Sequence, residues 1–258
     1  MYSKLDYVRR LIGTGISFLF FGVGGAILGL TVFPLLLLFI RSPETRQHIG
    51  RKIVRATFRF FLELMRVLGV MSYDIQGREY LQQSQGNLII ANHPSLIDVI
   101  FLVALFEQVS CIVKGALFKN PFTFGPIKAA GYIPNTSSEQ LMQACVENLQ
   151  EGKGLIVFPE GTRTTPGAEI NFQRGAAGMA VRSGADITPV TITCVPTTLT
   201  KNEPWYRIPS RRFKMTLVIK EPITVKQVVG ENYESNLPAA ARKLTRYLEH
   251  YFKQEIAG

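Results

Sequence analysis

Two short segments of this chain gather side chains able to bind a polar group and move a proton. The first reads Asn92-His93-Pro94-Ser95-Leu96-Ile97-Asp98 and the second Phe158-Pro159-Glu160-Gly161-Thr162-Arg163. Pro94 suits the start of a helix, because its missing N–H would have no helical partner there. A helix starting at Pro94 sets Asp98 one turn in, where its carboxylate folds back onto the His93 Nδ1–H and leaves Nε2 free as a general base. The same pair also fits a histidine that satisfies itself at a strand-helix junction beside an unrelated aspartate. In the second segment Gly161 lets backbone approach a ligand, Glu160 is an acceptor, and Arg163 offers a planar fork suited to phosphate. A glycine turn with a solvated ion pair is the competing reading. No serine occupies a G-x-S-x-G elbow and no cysteine accompanies His93. The residues therefore point to direct transfer, with the base activating a substrate hydroxyl.

Side chains of this kind need a scaffold, and the remainder of the chain supplies one. Apolar runs at 87–91, 110–113, 155–158, 187–193 and 214–219 read as strands, and helical patterns occupy 96–106, 138–151 (Ser138 as cap), 172–183 and 239–252. Strands apolar throughout and separated by helices predict an α/β fold, a largely parallel or mixed sheet covered by helices. Both loaded segments directly follow apolar strands, the carboxyl-end position at which open sheets of this kind bind ligands.

With 47% apolar and 19% charged residues the chain has a core to bury, which excludes a disordered protein. Residues 11–40 carry no charge at all, longer than the roughly 20 residues that cross a bilayer as a helix. Six glycines and Pro34 within that run permit a kink or a re-entrant hairpin. Residues 1–70 hold +7 of the net charge of +10, and the richer basic flank after the run predicts a cytoplasmic face at an inner membrane. From Pro43 to Val70, Ile49, Ile53, Phe60, Leu64 and Leu68 form one helical stripe with Lys52, Arg55, Arg59 and Arg66 nearly opposite. That pattern fits a basic helix in the headgroup layer or a helix packed on protein, since periodicity does not tell oil from core. The expected division is an N-terminal anchor over 1–70 and an α/β domain over 71–258. Three cysteines, spaced 34 and 49 residues apart, fit a reducing setting.

Asn92-His93-x-x-x-x-Asp98 and Phe158-Pro159-Glu160-Gly161-Thr162-Arg163, with 67 residues from His93 to Glu160, resemble the first and third signature blocks of the glycerolipid acyltransferase family. Two weaker blocks fall in order, Lys114 through Pro121 and on to Gly131-Tyr132-Ile133-Pro134, and Ile187-Thr188-Pro189-Val190. The resemblance implies the family's α/β fold and transfer of a fatty acyl group from an acyl-CoA or acyl-carrier-protein thioester to the hydroxyl of a lysophospholipid such as 1-acyl-glycerol-3-phosphate. It implies His93 as base, Asp98 as its orienting group, and Asn92, Lys114, Glu160, Gly161, Thr162 and Arg163 around the substrate, with Pro189 shaping the acyl side. It implies no metal and no cofactor beyond the thioester co-substrate. The implied partners are membrane lipids and the thioester's carrier.

One position departs from the family pattern. Where phosphatidate-forming relatives place an arginine after the glycine of the second block, Gly131 is followed here by Tyr-Ile-Pro-Asn135, which brings no charge. This leaves room for another acceptor, such as an amino-acid-headed lyso-lipid or a lipid with an aryl or polyene chain, or for a silent lipid-binding protein. Lys114, Lys119 and Lys128 are candidates to compensate. The stretch Trp205 to Lys214 interleaves aromatic and basic residues and suits a membrane interface or an acidic carrier. Beside an uncharged 30-residue run it argues for lipid and against nucleic acid.

Overall fold

The computed structural model describes residues 4–165 and 167–257. The apolar run forms α1 (Lys4–Leu30) and α2 (Val32–Phe39), with a break at Thr31 and Pro34 in the first turn of α2, where a missing N–H costs nothing. Ser42 caps α3 (Pro43–Val67) by accepting from the Thr45 N–H. α1 runs antiparallel to α3: Gly13 faces Leu68 and Val70, while Phe18 and Phe21 pack on Phe61. The run therefore folds back along the protein, and both its flanks lie against the same body. Its outer face stays apolar, with Ile12, Leu19, Phe20, Val23 and Ile27 all at least half exposed.

Of the two placements the sequence leaves open for α3, its contacts are those of a helix packed on protein. Its buried face is Gly50, Arg51, Val54, Phe61, Leu62 and Met65, one step round from the stripe read in the sequence, and Phe60 is 60% exposed. Ile49, Ile53 and Leu68 line the flank of that face and are partly covered. Two adjacent apolar stripes have the same period, so only the neighbours decide which one faces inward. Arg51 is turned inward with it, donating to the carbonyls of Ala130 (2.9 Å) and Gln108 (3.0 Å).

Beyond α3 come β1 (Met71–Gln76), β2 (Leu88–Ala91), α4 (Asp98–Leu105), β3 (Val109–Lys114), α5 (Pro121–Ala130), β4 (Ile133–Asn135), α6 (Ser138–Gln150), β5 (Gly154–Val157), α7 (Arg174–Ser183), β6 (Ile187–Val195), β7 (Phe213–Ile219), α8 (Val225–Val229) and α9 (Leu237–Ala257). The seven strands form one sheet in the order β1-β7-β6-β2-β5-β3-β4, with β6–β7 antiparallel and every other pair parallel. β1, β4, α5 and α8 have no counterpart among the elements read from the sequence. α6 begins where expected, but Ser137 holds the cap position and no side chain caps it.

The period of two along β2 divides the core. Ile89 and Ala91 join the cluster under α3 and α4, while Leu88 and Ile90 join the cluster with α6, α7 and α9. All four are fully buried, which is why this strand reads as a continuous apolar run. Two glycines fix close approaches. A Cβ on Gly29 would lie 2.3 Å from the Phe122 carbonyl of α5, and one on Gly77 (φ +72°) 1.9 Å from the Ile219 carbonyl.

Candidate active site

β2 and β5 lie side by side in parallel, Ile90 level with Val157, so the segments that follow them emerge at one rim of the sheet. Asn92 extends the ladder past the end of β2. Its amide donates to the Ile192 carbonyl (2.8 Å) and accepts from the Ile192 N–H (2.7 Å), as a backbone peptide would. The substrate contact expected of Asn92 is thus replaced by a structural one: the side chain is buried and fixes where His93 leaves the sheet.

His93 and Asp98 meet as their spacing predicts, Nδ1 to Oδ2 at 2.9 Å. The local geometry differs, because α4 begins at Asp98 rather than at Pro94. The Leu96 N–H is drawn to the Leu199 carbonyl (3.0 Å), which keeps residues 95–97 in a turn outside the helix. Asp98 Oδ2 also accepts from the Ser95 N–H (2.7 Å), and the Ser95 hydroxyl donates to the Thr198 carbonyl (3.1 Å). With an ionised carboxylate as acceptor the His93 proton sits on Nδ1, leaving Nε2 with no hydrogen-bond partner among the described residues, on a side chain 18% exposed. Burial pushes the Asp98 carboxyl up, opposed by the hydrogen bonds from His93 and Ser95 and by the charge of Arg163.

The second segment wraps His93. Phe158 stacks on the imidazole with centroids 4.0 Å apart and planes 18° from parallel. Glu160 Oε1 accepts from the His93 N–H (2.9 Å), its Oε2 accepts from the Thr164 hydroxyl, and the Thr164 N–H donates to the His93 carbonyl (2.8 Å). Burial raises the Glu160 carboxyl above its usual range. Gly161 turns the chain at φ +69°, and a Cβ there would meet nothing within 4 Å, so its conformation rather than close approach calls for glycine. Thr162 is exposed at the tip. Arg163 Nη1 donates to the carbonyls of Leu199 (2.9 Å) and Thr200 (2.8 Å), while Nε and Nη2 have no hydrogen-bond partner among the described residues.

Two expected residues lie further off. Lys114 ends β3, exposed at the same rim but two strands from β2, roughly 10 Å across. It pairs in register with Asn135, the uncharged position of the second block. Pro189 is buried within β6 opposite Ile90, three residues before His93 on the neighbouring strand. Ser95, Thr198, Phe158 and Thr164 were not singled out in the sequence. Of these, Ser95 and Phe158 lie within the first and third blocks and Thr164 directly follows the third, whereas Thr198 carries no motif signal.

Cys111, Cys145 and Cys194 are buried and free, their thiols pushed up to about 12 by burial. No thiolate nucleophile stands here. Among the described residues no group of three or more His, Cys, Asp or Glu is gathered to hold a metal ion.

A part-exposed histidine paired with a buried aspartate thus stands at the carboxyl end of a parallel strand, facing a glycine turn with an arginine. Residues 72–193 match the Acyltransferase family model, in line with the motif resemblance. The chain is 31% identical over 147 residues to a 1-acyl-sn-glycerol-3-phosphate acyltransferase of Pseudomonas aeruginosa, covering 54% of this chain and 56% of that one. It is 27% identical over 172 residues to the chloroplastic 1-acyl-sn-glycerol-3-phosphate acyltransferase BAT2 of Brassica napus, covering 64% of this chain and 48% of that one. The chain thus spans about half the length of the curated relatives it matches. In fold it is similar to the crystal structure of the 1-acyl-sn-glycerophosphate acyltransferase PlsC from Thermotoga maritima, with a TM-score of 0.74 and 22% identity over 97% of both chains.

Proposed function

We propose that this protein transfers a fatty acyl group from a thioester of coenzyme A or acyl-carrier protein to the hydroxyl of a lysophospholipid, with 1-acyl-glycerol-3-phosphate the leading acceptor. The observation that carries this reading is the His93 Nδ1 to Asp98 Oδ2 bond of 2.9 Å, which leaves Nε2 unpartnered at the rim. In the reaction Nε2 takes the proton of the acceptor hydroxyl as its oxygen attacks the thioester carbonyl. The tetrahedral intermediate collapses, the C–S bond breaks, and the imidazolium returns the proton to the leaving thiolate. Asp98 stabilises the imidazolium in between. Such base catalysis supplies about 10²–10⁴-fold, the remainder coming from positioning and from stabilising the oxyanion.

Arg163 supports a phosphate-bearing acceptor, since Nη1 is tethered by two carbonyls and Nε and Nη2 are left for an anion. Lys114, in register with Asn135, offers the charge that the Asn135 position lacks. The exposed apolar face of α1, part of a stretch Lys4–Phe39 long and apolar enough to cross a membrane, supports attachment to a bilayer, and the basic flank that follows the run favours the cytoplasmic side. Because α1 is packed along α3, we read that face as lying in one leaflet rather than as an isolated span.

The test incubates purified protein with acyl-CoA and acyl-carrier-protein donors and a panel of lyso-lipids, comparing wild type with His93→Ala. The wild type should consume thioester in the presence of one acceptor class and His93→Ala should not. Equal consumption by both would sink the proposal.

A further inference from the structure

The segment from Phe158 to Thr164 touches His93 at each of its three functional parts. The Glu160 carboxylate accepts from the main-chain N–H at 2.9 Å, the Thr164 N–H donates to the main-chain carbonyl at 2.8 Å, and Phe158 covers one face of the ring at 4.0 Å. Both Glu160 oxygens have partners within the protein, the second being the Thr164 hydroxyl. A carboxylate arranged in this way is a poor ligand for a substrate head, and poorer still beside a phosphate that repels it.

Resting on the acyl-transfer reading above, we propose that Glu160 is a positioning residue for His93 and does not bind the acceptor, which is held by Arg163. His93 lies just past the end of β2, where no sheet partner fixes its backbone; the segment after β5, the neighbouring strand, supplies both missing hydrogen bonds. Asp98 fixes the ring from the Nδ1 edge and Phe158 from one face, so Nε2 has one direction left in which to point. Without Glu160 the His93 N–H is left unpaired and the loop can move away from β5. A displacement of about 1 Å at a catalytic group is enough to cost about 10²-fold in rate.

The test measures kcat and acceptor KM for Glu160→Ala, Glu160→Asp and Glu160→Gln, with circular dichroism to establish folding. Gln keeps an oxygen for the His93 N–H and should stay within about threefold of wild type, while Asp keeps the charge but falls short of that N–H. Glu160→Ala and Glu160→Asp should lose kcat by roughly 10–100-fold with acceptor KM held within about threefold. A rise of about tenfold or more in acceptor KM with kcat preserved would overturn the positioning role and return Glu160 to the acceptor. If Glu160→Ala fails to fold, Asp against Gln gives the same decision. His93→Ala is run alongside: activity there strikes the acyl-transfer reading itself, whereas an inactive His93→Ala with a KM effect at Glu160 strikes only the positioning role.

Discussion

Replacing Asp98 by asparagine tests the proton-moving pair most directly, because the side chain keeps its size and loses only its charge. Asp98 is fully buried and its carboxylate faces His93 at 2.9 Å, so the charge of the imidazolium formed in the reaction lies about 4 Å from it. At an effective dielectric constant of about 20 the attraction is about 4 kcal/mol, equivalent to roughly 10³-fold in rate. Geometry adds to the loss. If the asparagine turns its oxygen to His93 and Ser95, its NH2 takes the position of Oδ1, which is buried without a partner, and is left unsatisfied. If it turns its NH2 to Nδ1, the ring proton moves to Nε2, which then cannot act as base. The expected outcome is a fall of about 10³-fold in kcat with acceptor KM within about threefold, read by thiol release from the acyl thioester. A loss of less than tenfold, or one that falls wholly on KM, would refute the assignment of Asp98 to the imidazolium.

Arg163→Ala should raise acceptor KM by roughly 10–100-fold for a phosphate-bearing acceptor, the worth of a charge-assisted contact, and Arg163→Lys should restore little of it because the planar fork is gone. An unchanged acceptor KM in both would remove Arg163 from the headgroup. Ile16, Leu19, Val23 and Ile27 are 37–62% exposed on α1. Changing all four to serine should leave the fold intact but strip about 1.5 kcal/mol or more of lipid burial per side chain, enough to move the protein from the membrane pellet to the supernatant. Sedimentation with vesicles as before would show that this face is not the anchor.

The elements that were legible in the sequence are those whose signal is local. β2 and β5 are apolar at every position because both faces are covered, and that density survives without knowledge of the neighbours. β1 escaped notice because an edge strand covered only in part reads Met-Ser-Tyr-Asp-Ile-Gln, and β4 because three residues carry no period. α5 holds Gly125 and Pro126, two residues that argue against a helix in isolation. There Gly125 admits Phe33 and the Gly29 carbonyl, so packing by α1 and α2 outweighs propensity.

By itself the sequence set His93 and Asp98 five residues apart, within reach of each other across a single turn, and it determined that the loaded segments end apolar strands. It also determined that the N-terminal run is too apolar to be solvated on all sides. The tertiary structure alone decided which of two neighbouring stripes of α3 faces inward, that Arg51 turns in with it, and that Asn92 bonds to Ile192 instead of a ligand. It decided as well that Glu160 reaches back across two adjacent strands to the backbone of His93. Each of these depends on which groups the sheet order brings within about 3 Å, and hydrogen-bond partners at that range carry no trace in the spacing of residues along the chain.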